Sequence, residues 1–254
     1  MSPDNLKSFL DQKVIQYNNP SFIESDPISI PHQFSQKEDI EISAFLVASF
    51  AWGKRSTILK SGNKLINIMG SSPYDFIMSA NEKYIDKLDG FVHRTFNSTD
   101  LKYFITALNN IYRNYGGLEN VFTKSHDKNS MIPAIIEFNQ LFFSIPHPQR
   151  TKKHIGNPSK GSAAKKINMF LRWMVRKDRK GVDFGLWNNI SPAILSIPLD
   201  IHSGNVSRKL GLLTRKQNNI KAVIELDKKL RSFDPLDPVK YDFALFGLGV
   251  FENF

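Results

Sequence analysis

The sequence predicts an all-α fold, and three features of the 254-residue chain predict it. Apolar residues recur, segment after segment, at the three-and-four spacing that lines one face of a helix. Cap-forming Ser, Thr, Asp or Asn stand before several of these segments, and Gly or Pro stands after them. No alternating apolar and polar set of any length appears that would mark a sheet.

The elements follow in order. From Asp39 to about Phe50, Ile42, Phe45, Leu46, Ser49 and Phe50 recur at helical spacing, and Trp52-Gly53 offers a stop. A second helix starts near Thr57 and runs through Ile58, Leu59, Leu65 and Ile66 to Gly70, and Pro73 opens a short third. Ser98 or Thr99 caps a helix whose buried stripe is Leu101, Phe104, Ile105, Leu108, Ile111 and Tyr112, ending at Gly116-Gly117. Met131 to Phe143 supplies the next. A 17-residue connection, Ile145 to Gly161, then holds Pro146, Pro148 and Pro158, and loops of that length are commonly functional.

Ser162 to about Lys177 reads as a strongly amphipathic helix with Ala164, Ile167, Leu171 and Met174 on its apolar stripe. Lys165, Asn168, Arg172 and Arg176 follow a different stripe, so the sequence expects them to line one surface. After Leu186-Trp187 and Pro192, Asp200 caps a helix ending near Gly211. Another spans about Asn219 to Ser232, and Asp237-Pro238 carries the cap-plus-proline signature of a last helix ending near Gly247. There is no internal repeat and no low-complexity segment.

Composition narrows the chemistry. The chain is 41% hydrophobic and 23% charged, an ordinary globular balance. It has no cysteine, which removes disulfides, thiolate nucleophiles and Cys-ligated zinc or iron–sulfur clusters. The polar start, Met1 to Leu10, lacks a signal-peptide core, and no run reaches the roughly 18 apolar residues of a membrane span. A cytoplasmic, nucleoid-associated monomer is expected. His32, His93, His126, His147 and His154 show no paired ligand spacing, so neither a metal site nor a cofactor is expected.

Charge is unevenly distributed. Residues 150–180 carry eleven Lys and Arg against one acid, Asp178, and this local excess of +10 equals the net charge of the chain. A concentrated positive segment is the footprint of a polyanion partner, because each neutralised phosphate releases a counterion.

The run Gly161-Ser162-Ala163-Ala164-Lys165-Lys166-Ile167-Asn168-Met169-Phe170-Leu171 resembles the Gly-x-Gly-x-Lys-x-x-Asn-x-x-Leu segment of the helix-hairpin-helix (HhH-GPD) DNA glycosylases, the superfamily of endonuclease III and the 8-oxoguanine glycosylases. Pro198-Leu199-Asp200-Ile201-His202 resembles its Val-Asp-x-His segment, which carries the essential Asp. Lys165 and Asp200 are 35 residues apart, a wide spacing similar to the archaeal 8-oxoguanine branch. Ala163 stands where the family has the second hairpin glycine. Over its whole length the chain is most similar to an uncharacterised bacterial branch of the superfamily, through Asn168–Arg176 and Asp234–Gly249.

The resemblance implies two helical lobes with a cleft between them. The expected lobes are a central one over 27–180 and a terminal one of 1–26 plus 181–254, within one glycosylase-like unit over 1–254. It implies a DNA repair glycosylase on double-stranded DNA, with Lys165 and Asp200 catalytic. Lys160, Gly161, Ser162, Lys166, Asn168, Arg172, Arg176 and His202 would contact nucleic acid, and Phe50, Trp52, Trp173 and Trp187 are candidate walls of a pocket for an extruded base. An oxidised purine such as 8-oxoguanine is the lesion the resemblance suggests first.

The residue types suit that chemistry. Breaking an N-glycosidic bond builds positive charge on the sugar, which a carboxylate stabilises, while a neutral lysine amine attacks the sugar carbon and forms a Schiff base. Plainer roles stand beside these: Lys165 on a solvated basic face, Asp200 as an N-cap worth ~1 kcal/mol, and His202 as a packing residue. Two other functions remain open at the level of sequence, a noncatalytic nucleic-acid binder on the same scaffold and an RNA- or nucleotide-acting enzyme.

Overall fold

The computed structural model describes residues 2–79, 82–125 and 127–254; Met1, Ala80, Asn81 and His126 lie outside them. The described residues are mostly helical. In chain order they form α1 (Pro3–Tyr17), α2 (Ser21–Ser25), α3 (Lys37–Phe50), α4 (Arg55–Ile68), α5 (Pro73–Met78), α6 (Glu82–Asp86), α7 (Ser98–Tyr115), α8 (Leu118–Ser125), α9 (Ile132–Phe142), α10 (Lys165–Val175), α11 (Ile201–Lys209), α12 (Ile220–Phe233) and α13 (Tyr241–Phe251). A two-stranded antiparallel ribbon, β1 (Val92–His93) with β2 (Phe96–Asn97), precedes α7. Strands of two residues are too short to show alternation, so the sequence gives no sign of them.

The chain divides into two compact units. A central unit comprises 23–126 and 133–156, and a terminal unit comprises 1–22, 127–132 and 157–254. This corrects the expected lobes: residues 157–180, assigned from sequence to the central lobe, belong to the terminal unit. The reason is side-chain partnership, since α10 forms its buried ion pairs with residues of the C-terminal segment.

In the central unit, α3 is buried continuously from Asp39 to Phe50. A helix that is apolar nearly all round belongs in a core, and Phe45 packs its ring on Phe104, Phe138 and Phe142. Asn97, rather than Ser98 or Thr99, caps α7, in a reciprocal capping box with Asp100. Gly116 ends α7 in the left-handed conformation, at φ 75°. Asp100 is fully buried and also accepts from the Thr151 hydroxyl at 2.8 Å and pairs with Arg150 and His154 at 3.3 and 3.1 Å. The long connection after α9 is therefore clamped: Gln149–His154 winds into a 3-10 turn around that carboxylate.

The terminal unit is built on α13, whose Ala244, Leu245 and Leu248 share a core with Leu6, Leu10 and Val14 of α1, Val206 of α11 and Val223, Leu226 and Leu230 of α12. Gly247 and Gly249, two positions and hence about 200° apart on the helix, serve opposite neighbours. A Cβ on Gly247 would overlap the Tyr17 ring of α1, and one on Gly249 would stand 3.0 Å from His202 Cβ of α11. α1 is absent from the sequence-based reading because its composition is polar; burial of one thin stripe, Leu6, Leu10, Val14 and Tyr17, holds it.

Candidate active site

The site residues lie in the terminal unit, at the starts of α10, α11 and α13. The approach to α10 is a hairpin with no regular repeat. Asn157 caps the 3-10 turn Pro158–Lys160, and Gly161 reverses the chain at φ 88°. Ser162 then pairs with Asn219 across an antiparallel bridge, while Ile220 donates its amide to the Gly161 carbonyl at 3.1 Å. Ala164 occupies the N-cap position in the left-handed region, φ 47°, and contributes no side-chain cap. α10 therefore begins at Lys165, three residues later than the sequence predicts. Lys165 and Lys166 form its first turn, both half-buried.

Asp200 caps α11 in a capping box with Ser203. Ser203 donates its amide to Asp200 Oδ1 at 2.9 Å and accepts the Asp200 amide on its hydroxyl at 2.9 Å. Both capping contacts on the carboxylate fall on Oδ1, so the cap leaves Oδ2 available to other partners. The segment leading in is held from α12. Asp227 accepts the Ile197 amide at 2.9 Å, and Arg231 donates to the carbonyls of Ala193 and Leu195 at 3.0 and 2.6 Å. Burial pushes Asp227 up to about 6, with the Ile197 amide and Arg231 opposing.

Asp242, in the first turn of α13, is the residue that sequence reading missed. It is buried, accepts a hydrogen bond from Arg172 Nη1, and lies within electrostatic reach of both Lys165 and Asp200. Burial pushes its carboxyl up to about 6; Arg172 and Lys165 oppose that rise, and Asp200 adds to it. The structure thus gathers the two motif residues, Lys165 and Asp200, around a third charged group. The only trace of Asp242 in the sequence is its place in the Asp234–Gly249 segment.

The shifted amine in this locale is that of Lys166, pushed down to about 7 by burial and by the neighbouring charge of Lys165. A lysine near that value carries a substantial neutral fraction at physiological pH, which is the nucleophilic form.

Several expected contacts are corrected by burial. Arg172 and Arg176 are 4% and 2% exposed and do not line a surface. Arg172 pairs with Asp183 and Asp242, and Arg176 with Asp178, Asp183 and Asp237, because i, i+4 neighbours on an inward face must be compensated by acids. Asn168 is also buried and donates from Nδ2 to the Ala163 carbonyl at 3.0 Å, bracing the hairpin from within. Phe50, Trp173 and Trp187 are fully buried: Phe50 packs on Phe91 and Phe96, and Trp187 meets Phe170 edge-on. None of these three walls an open pocket. Trp52 alone of the four is half-exposed; it belongs to the central unit, where it stacks on His154.

Lys160 and Gly161 are exposed and Ser162 is half-buried at the hairpin, and His202 is exposed on α11. The basic segment is itself divided, with Arg150, Lys152 and Lys153 in the central unit and the rest in the terminal unit. Among the described residues no helix is long and apolar enough to cross a membrane, and no group of three or more His, Asp or Glu is arranged to hold a metal ion.

A family model described as "Protein of unknown function (DUF2400)" matches residues 26–251. No curated protein and no solved structure matches the chain. With that match extending over α3 to α13 and every residue of the site just described, the chain belongs to the DUF2400 family.

Proposed function

We propose that this chain is a DNA base-excision glycosylase with lyase activity, acting on a base extruded from duplex DNA. The observation that carries the reading is the meeting of Lys165 and Asp200, distant in sequence, around the buried carboxylate of Asp242. In this reading the C1′–N bond breaks with its electron pair leaving on the base, and Asp200 faces the resulting sugar cation. The Lys165 amine bonds to C1′ and gives up a proton, and opening of the sugar ring leaves an iminium link to the protein. Asp242, pushed up to about 6, lies within one pKa unit or so of neutral pH and supplies a site for that proton. The Lys166 ammonium, pushed down to about 7, presents little fixed charge against the attack. An oxidised purine is the lesion we place first.

The test is borohydride trapping on duplexes containing 8-oxoguanine, uracil, oxidised pyrimidines or abasic sites, with Lys165→Ala and Lys166→Ala alongside. An adduct lost in Lys165→Ala and kept in Lys166→Ala supports the reading and names the substrate. Loss only in Lys166→Ala moves the nucleophile by one residue. With no adduct and no base release on any duplex, the glycosylase reading is abandoned in favour of a noncatalytic DNA binder.

A further inference from the structure

The net charge of the terminal unit is not explained by the segment that dominates the sequence. This unit holds 20 Lys and Arg against 12 Asp and Glu, a net +8, whereas the central unit holds 14 against 12. Two of the cations of α10 are spent internally, as Arg172 and Arg176 are buried among four aspartates. Solvated positive charge instead collects between α11 and α12. Residues 208–221 contain Arg208, Lys209, Arg215, Lys216 and Lys221 and no acid. Arg215, Lys216 and Lys221 are exposed.

This connection is fixed. The amide and hydroxyl of Thr214 both donate to Glu225 Oε1, at 2.6 and 2.7 Å. Arg208 donates from Nε to the Arg215 carbonyl at 2.7 Å and from Nη2 to Asn218 Oδ1 at 2.6 Å. Asn218 in turn donates from Nδ2 to the Asp200 carbonyl at 2.7 Å. On its other side the connection is pinned to the hairpin before α10 by the Ser162–Asn219 bridge. One short segment is thus tied both to the N-cap residue of α11 and to the hairpin that bears exposed Lys160, and its crest, Thr214 to Gln217, lines a shallow recess. Like charges held on a rigid backbone repel one another and gain only when an anion arrives. Preordered cations also lose little entropy on binding.

We propose that the 214–217 crest, through Arg215 and Lys216 and together with Lys160, grips the sugar-phosphate backbone of duplex DNA beside the position of Asp200. The inference rests on the DNA reading of the site. It assigns the phosphate contacts to residues outside the 161–176 motif, and it commits to backbone phosphates rather than base edges. Binding through these residues is therefore indifferent to sequence and steep in salt.

The experiment measures binding of the full chain to an undamaged duplex across about 50 to 200 mM salt, the range over which phosphate contacts are lost. Wild type is compared with Lys160→Ala/Arg215→Ala/Lys216→Ala and with Lys228→Ala/Lys229→Ala, a control on the exposed face of α12. Because the three crest side chains are exposed, thermal melting of the triple variant should match wild type. We expect the slope of log affinity against log salt to fall by about 3 in the triple variant, roughly one per lost contact, with binding weakened by at least about tenfold at low salt. The control should keep the wild-type slope. Wild-type affinity and slope in the triple variant, with wild type binding DNA, overturn the inference and leave the catalytic reading standing. If wild type itself binds no duplex at low salt, the DNA reading falls and this inference with it. Should the triple variant melt early, Arg215→Gln and Lys216→Gln singly, each expected to lower the slope by about 1, decide the matter instead.

Discussion

Arg172 in α10 donates a hydrogen bond to Asp242 at the start of α13, 70 residues further along the chain, with both side chains buried. The same guanidinium holds Asp183 at 3.2 Å and lies 4.4 Å from the ring centroid of Phe243. One turn on, Arg176 holds Asp178, Asp183 and Asp237 at 2.8 to 3.1 Å. The helix bearing Lys165 is thereby locked to the helix bearing Asp242, and charge that reads from sequence as phosphate-binding is structural.

Removing the arginine should be costly. Arg172→Met leaves Asp183 and Asp242 with less compensation in the interior, and breaking a buried pair from one side costs on the order of 3–5 kcal/mol. Urea unfolding checks this, and the double variant Arg172→Met/Asp242→Asn should lose less than the sum of the single losses. Wild-type stability in Arg172→Met would mean the pair is idle.

The Asp242 carboxyl also makes a signed prediction about pH. Burial raises its folded pKa from 3.8 to about 6. A carboxyl with a raised folded value favours the fold while protonated, so its contribution is full below about 4 and is lost as pH climbs through about 6. Relative to Asp242→Asn, wild type should lose up to about 3 kcal/mol between pH 4 and 6, since one pKa unit is about 1.4 kcal/mol. Asp227 shares the direction of shift, so only the difference between wild type and variant isolates Asp242. A difference that stays flat across this range would show that Asp242 is ionised throughout.

Lys166 should be the amine labelled early by limiting acetic anhydride at neutral pH. Its value near 7 leaves about half of it neutral there, against less than one part in a thousand for a lysine of ordinary pKa. Peptide mapping after brief exposure checks the order of labelling. If the exposed Lys177 and Lys180 react before Lys166, the lowered value is wrong.

Asn218 ties the basic connection to the cap of α11, and Asn218→Ala removes its bonds to Asp200 and Arg208 together. A loss of about 1–2 kcal/mol is expected from two hydrogen bonds, one of them to a charged group. The local readout is hydrogen exchange at Gly204, whose amide bonds to the Asp200 carbonyl at 3.0 Å. Exchange there should quicken; unchanged protection with unchanged stability would show that the tie is dispensable.

Gly247→Ala should separate α1 from α13, because the new methyl would overlap the Tyr17 ring. Overpacking of this kind costs about 1–3 kcal/mol. Gly249→Ala is the milder companion, with 3.0 Å to His202 Cβ. The prediction fails if the two variants melt together at the wild-type temperature.

Much of this architecture is legible from the chain. Helices α3, α4, α7, α9, α11, α12 and α13 lie near the segments predicted, with starts and ends displaced by a few residues. Helix α10 lies inside the segment predicted for it. Asp200 caps α11 as its position before Ile201 predicts. The errors have physical sources. Asn97 outcompetes Ser98 and Thr99 as a cap because Asp100 is three residues ahead of it and completes the capping box. Ser162 does not open α10 because its backbone is engaged with Asn219 and Ile220, partners nearly 60 residues away. Helix α1 is invisible to periodicity because packing against α13 stabilises it, and its own composition does not.

The sequence alone determined the helical class, the order of the helices and the pairing of a lysine-bearing helix start with an aspartate cap, because these depend on spacing and caps within a few residues. Only tertiary structure decided which cations meet solvent. Arg172 and Arg176 look like Lys160 and Arg215 in composition, yet the first two face aspartates brought in from the loop after α10 and from the α12–α13 region, and the others face water. An ion's role is set by its partners and its dielectric surroundings, and the partners of Arg172 and Asp242 meet only when the two ends of a long stretch of chain are folded together.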